Sequence, residues 1–121
     1  MPVFVDTNVL VYARDASEPV KQPLARAWPD HLWTTGDGRL SYQVLHEYYT
    51  TVTRELRPGM SRETAQADSR NLCAWQPVVL DRIVLEDAWS LKTRFRLGLW
   101  GALIVASARA AGCSHLLAED L

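Results

Sequence analysis

The chain has 121 residues, enough for one domain that buries a core without disulfide or metal staples. Its composition is that of an ordinary globular protein, 48% hydrophobic and 22% charged. The 13 basic and 14 acidic residues leave a formal net charge of -1, which neither announces a nucleic-acid binder nor excludes one, because a local patch can hide inside a neutral total.

In chain order, Val3-Phe4-Val5 is a β-branched and aromatic run that reads as a buried strand and ends in a carboxylate, Asp6. Its lack of alternation points to a parallel sheet covered on both faces, where ligands bind beyond the carboxyl ends of the strands. Val9 to Ala13 starts a helical turn that Asp15-Ala16-Ser17 breaks. Ser17 can cap a second helix, with Pro19 in its first turn and Val20, Leu24 and Ala27 as its apolar stripe. Pro29 is expected to kink or end that helix. Gly36-Asp37-Gly38 is a loop before a brief strand at Arg39-Leu40-Ser41. Leu45, Tyr48, Tyr49, Val52 and Leu56 then recur at helical spacing until Pro58-Gly59 stops them. Ser61 can cap the next helix, which is expected to run to about Ala74.

Gln76 to Leu80 is the next strand candidate, and Val84, Ala88, Leu91 and Phe95 mark an amphipathic helix closed near Gly98. Trp100 to Ala111 is apolar almost all the way round, as expected of a buried helix. Gly112 ends it, and His115 to Ala118 reads as a last strand running into Glu119-Asp120. Strands alternating with helices predict an α/β domain with a mostly parallel sheet. No internal repeat, low-complexity segment or linker interrupts the chain.

Cys73 and Cys113 lack metal-type spacing and no export signal is visible, so a reducing cytoplasm is the expected compartment. The longest mostly apolar stretch, Leu97 to Ala108, is too short to span a bilayer. Lys21 and Lys92 are the only lysines. An arginine bias suits phosphate recognition, but a GC-rich genome produces the same bias and is the plainer explanation.

Asp15, Glu18, Asp30, Asp37, Glu63 and Asp68 fall in loops or on polar faces, whereas Asp6 and Asp120 each end an apolar strand. If the first and last strands are neighbours, both carboxylates open onto one crevice. Asp81 also follows a strand candidate, but it sits where a helix cap belongs, and capping outranks chemistry there. Two close carboxylates repel unless a cation sits between them or one is protonated. Oxygen ligands suit Mg²⁺ or Mn²⁺, which can activate water and neutralise charge on a phosphodiester. The plainer alternative is that Asp6 starts a turn and Asp120 is a surface acid. A haloacid-dehalogenase-like phosphatase needs a second Asp where this chain has Asn8, and a response-regulator receiver needs a strand-end lysine that is absent.

Four segments together resemble the PIN-domain ribonucleases, and among them the VapC-like toxins of bacterial toxin–antitoxin pairs. They are Val5-Asp6-Thr7-Asn8-Val9-Leu10, Ser41 to Tyr49, Leu99 to Ala106, and Leu116 to Leu121, in the family's order and spread over essentially the whole chain. The resemblance implies a three-layer α/β/α sandwich around a parallel sheet, as a single domain over residues 1–121. It also implies a cytoplasmic enzyme that hydrolyses RNA with Mg²⁺ or Mn²⁺, leaving a 5′-phosphate. By the same resemblance Asp6, Glu47 and Asp120 are the catalytic and metal-holding acids, with Glu47 either a ligand or the group that orients water. Thr7 and Asn8 would hydrogen-bond carboxylate or water, and Ser41 would support the cleft. The implied partners are an RNA substrate, a small antitoxin that blocks the cleft, and a second copy in a homodimer. By periodicity alone Glu47 lies nearly opposite the Leu45, Tyr48, Tyr49, Val52 stripe and reads as solvated surface; a cleft-lining face would carry the same letters.

The chain departs from the resemblance twice. The family places an Asp after the Trp that opens the buried helix, near a helix N-terminus that favours a carboxylate, and this chain has Gly101. Gly101 vacates a metal-ligand position and disfavours the helix by up to about 1 kcal/mol relative to Ala. An inactivating substitution, introduced because an active toxin kills its expression host, is the preferred reading. Natural loss in a degenerate toxin and a tolerated helix-start glycine stay open beside it. A catalytically dead module that binds RNA or antitoxin without cleavage is the matching functional alternative. The second departure is the ending at Leu121, where family members continue into another short strand and a tail.

Overall fold

Among the described residues, 1–15 and 21–118 of the computed structural model, three strands pair into one all-parallel sheet. They are β1 (Val3–Val5), β2 (Gly38–Arg39) and β3 (His115–Leu117), in the order β2-β1-β3. Val3 stands opposite both Gly38 and His115, so the first and last strands are neighbours, as the crevice argument required. β1 is central because its side chains suit a two-sided interior: Phe4 and Val5 are fully buried.

Six helices flank the sheet among these residues: α1 (Thr7–Tyr12), α2 (Lys21–Thr35), α3 (Tyr42–Arg54), α4 (Arg62–Leu72), α5 (Arg82–Phe95) and α6 (Leu99–Ala110). The predicted α/β class holds. Ser41, Ser61 and Asp81 cap α3, α4 and α5, each accepting from the backbone N–H three residues on, which satisfies a donor the helix itself leaves open. Asp81 is therefore a cap, as its position implied. Gly112, at φ +70°, reverses the chain after α6, and the Cys113 amide donates to the Ala108 carbonyl. Gly38 is required by close approach, because a Cβ there would sit 2.7 Å from the Trp75 ring.

The apolar side chains separate into two clusters. The larger gathers Phe4 and Val5 with Leu10, Leu32, Leu40, Val44, Val52 and Trp75 from the surrounding elements. The smaller joins Val84, Ala88 and Leu91 of α5 to Ala102, Leu103 and Ala106 of α6. α6 serves both, since its Ile104 and Ala108 belong to the larger cluster.

Several expectations need correction. Gln76 to Leu80 forms no strand; one bridge joins Val78 to Ser41 beside β2. Pro77 has no N–H to donate, and Gln76 stands in the left-handed region at φ 54°, so the ladder cannot extend. α2 continues through Pro29 to Thr35, with Pro29 itself buried. Ala27 is exposed and the inward residues of that helix include Ala25 and Leu32. α4 ends at Leu72 and a 3₁₀ turn, Cys73–Trp75, carries Trp75 into the core. Phe95 is 57% exposed, because the helix ends there and Arg96 turns left-handed at φ 54°. The expected cap at Ser17, with Pro19 and Val20, lies outside the described residues.

Candidate functional site

The parallel register brings Asp6 and Ser41 to the carboxyl ends of adjacent strands. Each ends the extended chain and opens a helix, Asp6 into α1 and Ser41 into α3. On the other side of β1, the Asp6 amide donates to the Leu117 carbonyl at 3.0 Å, so Asp6 is fixed by the last strand. α1 and α3 then pack against one another, above the same edge of the sheet.

Asp6 is 4% exposed and has no ion-pair partner among the described residues. Its carboxylate accepts the Thr7 backbone N–H at 2.7 Å. Burial pushes the Asp6 carboxyl above its ordinary range, while the Thr7 amide and hydroxyl pull it back more weakly. The Thr7 hydroxyl acts there through its dipole, for it is buried and meets no partner with hydrogen-bond geometry. A buried hydroxyl without a partner costs on the order of 1–3 kcal/mol, so this corner favours an incoming polar ligand. Asn8 is exposed and makes no bond to Asp6, a position from which it could still reach water beside the carboxylate.

Ser41 is buried, and its hydroxyl oxygen accepts from the Val44 amide at 3.2 Å, leaving its own proton free to donate. Glu47 lies in the second turn of α3 and is half-buried, not the solvated residue that periodicity alone suggested. It has no hydrogen-bond or ion-pair partner among the described residues. Gln43, one turn before Glu47, was passed over in the sequence. Its Oε1 is buried without a partner, which puts a second unpaired acceptor four residues from Glu47 on α3. The spacing was readable, but the missing partner was not.

Asp120 lies outside the described residues, and among those described no three His, Cys, Asp or Glu side chains gather as a metal cluster. The chemistry of the oxygens that are described suits a hard divalent cation: a buried unpaired carboxylate with an orphaned hydroxyl beside it. A nearby cation would offset the burial that raises the Asp6 pKa.

Gly101 occupies the third position of α6, in its first turn, and is half-buried. The N-terminus of α6 has no side-chain cap at Gly98 and no acid in its first turn. An acid at position 101 would therefore meet free backbone N–H groups and the positive end of the helix dipole.

The profile of one family, described as PIN domain, matches residues 3–121. No curated protein matches the chain. No described helix is long and apolar enough to cross a membrane.

Proposed function

The chain belongs to the PIN-domain family, a family of metal-dependent nucleases, and from that premise we propose that it is a VapC-like endoribonuclease toxin weakened by Gly101. The observation that carries this reading is a buried Asp6 carboxylate, without an ion-pair partner among the described residues, beside the Thr7 hydroxyl at the carboxyl edge of a parallel sheet. Structural aspartates of that kind normally find a cationic partner or several donors; among the described residues this one meets only Thr7, through its backbone N–H and its nearby hydroxyl.

Asp6, Glu47 and Asp120 are the residues that would hold Mg²⁺ or Mn²⁺. When bound, the cation supplies acidity to a water molecule and neutralises charge on the phosphodiester. Burial raises the Asp6 pKa, and a bound cation would offset that by favouring its ionised form. The Thr7 hydroxyl can accept or donate a hydrogen bond and so orients water beside that carboxylate. Glu47, without a partner among the described residues, would take a proton from the attacking water, whose oxygen bonds to phosphorus as the P–O3′ bond breaks, giving a 5′-phosphate and, with a proton from solvent, a 3′-hydroxyl. The biological partners on this reading are an RNA with an accessible single strand, an antitoxin that covers the cleft, and a second copy of the chain.

Gly101 removes one carboxylate from that set, so the chain as it stands binds cation weakly and cleaves slowly. Gly101→Asp is expected to restore Mg²⁺- or Mn²⁺-dependent cleavage of a broad RNA panel. Mn²⁺ should also raise the Tm of Gly101→Asp but not of the same protein carrying Asp6→Asn. A restored protein that stays inert on every RNA sinks the toxin reading. The glycine in the first turn of α6 supports one alternative, a catalytically dead module that binds RNA or antitoxin. RNA binding that persists while Gly101→Asp fails to cleave would select it.

A further inference from the structure

A cavity of about 550 Å³ opens between α1, α2, α3 and α4, beside the two helices that begin at Asp6 and carry Glu47. Sites for small organic ligands occupy roughly 300–1,000 Å³. One wall is satisfied within itself. Tyr48 is 2% exposed and donates its hydroxyl to Asp68 at 2.8 Å, and Arg14 pairs with the same carboxylate at 2.8 Å. Burial and the neighbouring Asp68 push the Tyr48 phenol above its ordinary pKa, which keeps it a donor.

The α2 wall is not satisfied. Arg26 and Asp30 both line the cavity one helical turn apart, yet neither side chain pairs with the other or with any described residue. Trp33 continues that wall, 45% exposed and braced by Trp75 with ring centroids 5.1 Å apart. A held aromatic plate, a free guanidinium and a free carboxylate match the three parts of a nucleotide: the base face, the phosphate and the amino edge. Apolar peptide helices favour apolar grooves, whereas polar and charged side chains make up much of this lining.

We propose that this cavity is a subsite for one nucleotide of single-stranded RNA. The base stacks on Trp33, the phosphate meets Arg26, and Asp30 accepts from base N–H groups, which favours guanine over uracil. The inference deepens the ribonuclease reading and rests on it for RNA as the source of the nucleotide. Binding itself needs no divalent cation.

The test titrates the full chain with 5′-GMP and 5′-UMP in chelator, following the Trp33 indole N–H by NMR, with Trp33→Phe assigning the signal. GMP is expected to shift that signal saturably and to bind about fivefold or more tightly than UMP. Asp30→Asn should erase the preference, and Arg26→Ala should weaken both nucleotides about fivefold while leaving guanosine unchanged. Both substituted residues are exposed, so the fold is expected to survive. No saturable shift, or equal binding by the Arg26→Ala, Asp30→Asn double variant, overturns the subsite. So does a cavity that responds only to an amphipathic helical peptide. RNA cleavage by Gly101→Asp without GMP binding overturns the subsite alone. GMP binding by a chain whose Gly101→Asp form stays inert supports the subsite while sinking the nuclease reading.

Discussion

The core around β1 buries a carboxylate, whereas the α5–α6 pair buries aliphatic side chains with one hydroxyl, Ser107, and leaves several of its larger side chains in solvent. Asp6, Thr7 and Ser41 are all buried at the ends of β1 and β2. The α5–α6 cluster is Val, Ala and Leu alone, while Ile83, Trp89, Phe95, Leu99 and Trp100 stay exposed nearby. Exposed apolar area is a common and mild cost, but a buried carboxylate without a cation is neither. The expensive feature is the informative one. On the proposed function it marks the strand ends as the site, with α6 contributing a helix N-terminus beside it.

Truncations of comparable core residues sharpen that contrast. Phe4→Ala should cost about 3–5 kcal/mol in urea unfolding, because the ring is fully buried in the larger cluster. Leu91→Ala should cost less, about 2–3 kcal/mol, since half of its cluster is alanine and the surroundings hold fewer atoms to lose contact with. Equal losses would mean that the two clusters act as one.

Acidity separates the halves next. Burial raises the folded-state pKa of Asp6 above its unfolded value, so Asp6 favours folding most below the unfolded pKa. That contribution is lost as pH rises through the raised folded pKa, where the carboxylate must ionise in place. The urea midpoint of the parent should therefore fall across that window, and Asp6→Asn should flatten the profile and be the more stable protein above it. Asn retains helix-capping ability, which keeps the comparison clean. An unchanged profile would remove Asp6 from the argument.

The smallest effects belong to α6. Gly101→Ala should stabilise the protein by up to about 1 kcal/mol in thermal unfolding. Asp87→Asn, which breaks the largely exposed pair with Arg109, should change stability by less than about 0.5 kcal/mol. A larger loss there would show that the α5–α6 pair leans on charge more than on its aliphatic cluster.

The sequence was most legible where one local rule decides the outcome. β1 followed from an unbroken apolar run, α3 from its period, and the caps at Ser61 and Asp81 from position alone. Phe95 was misjudged because periodicity does not register that the helix ends at that residue, with Arg96 left-handed behind it. The Gln76–Leu80 run failed because strand propensity says nothing of a missing N–H at Pro77 or a left-handed residue before it. At the site, Asp6 was visible as a strand-end acid. Glu47 was visible only by resemblance, since a cleft face and a solvent face spell alike. The orphaned atoms of Thr7 and Gln43 had no sequence signature, for the absence of a partner is a property of space.

The parallel pairing of β1 with β3 also sets an order of events during synthesis. The Asp6 amide is held by the Leu117 carbonyl, and Val3 waits for His115, almost the whole chain later. A ribosome must release the chain through Leu117 before the strand bearing Asp6 gains its second neighbour, and contacts of such long range form slowly.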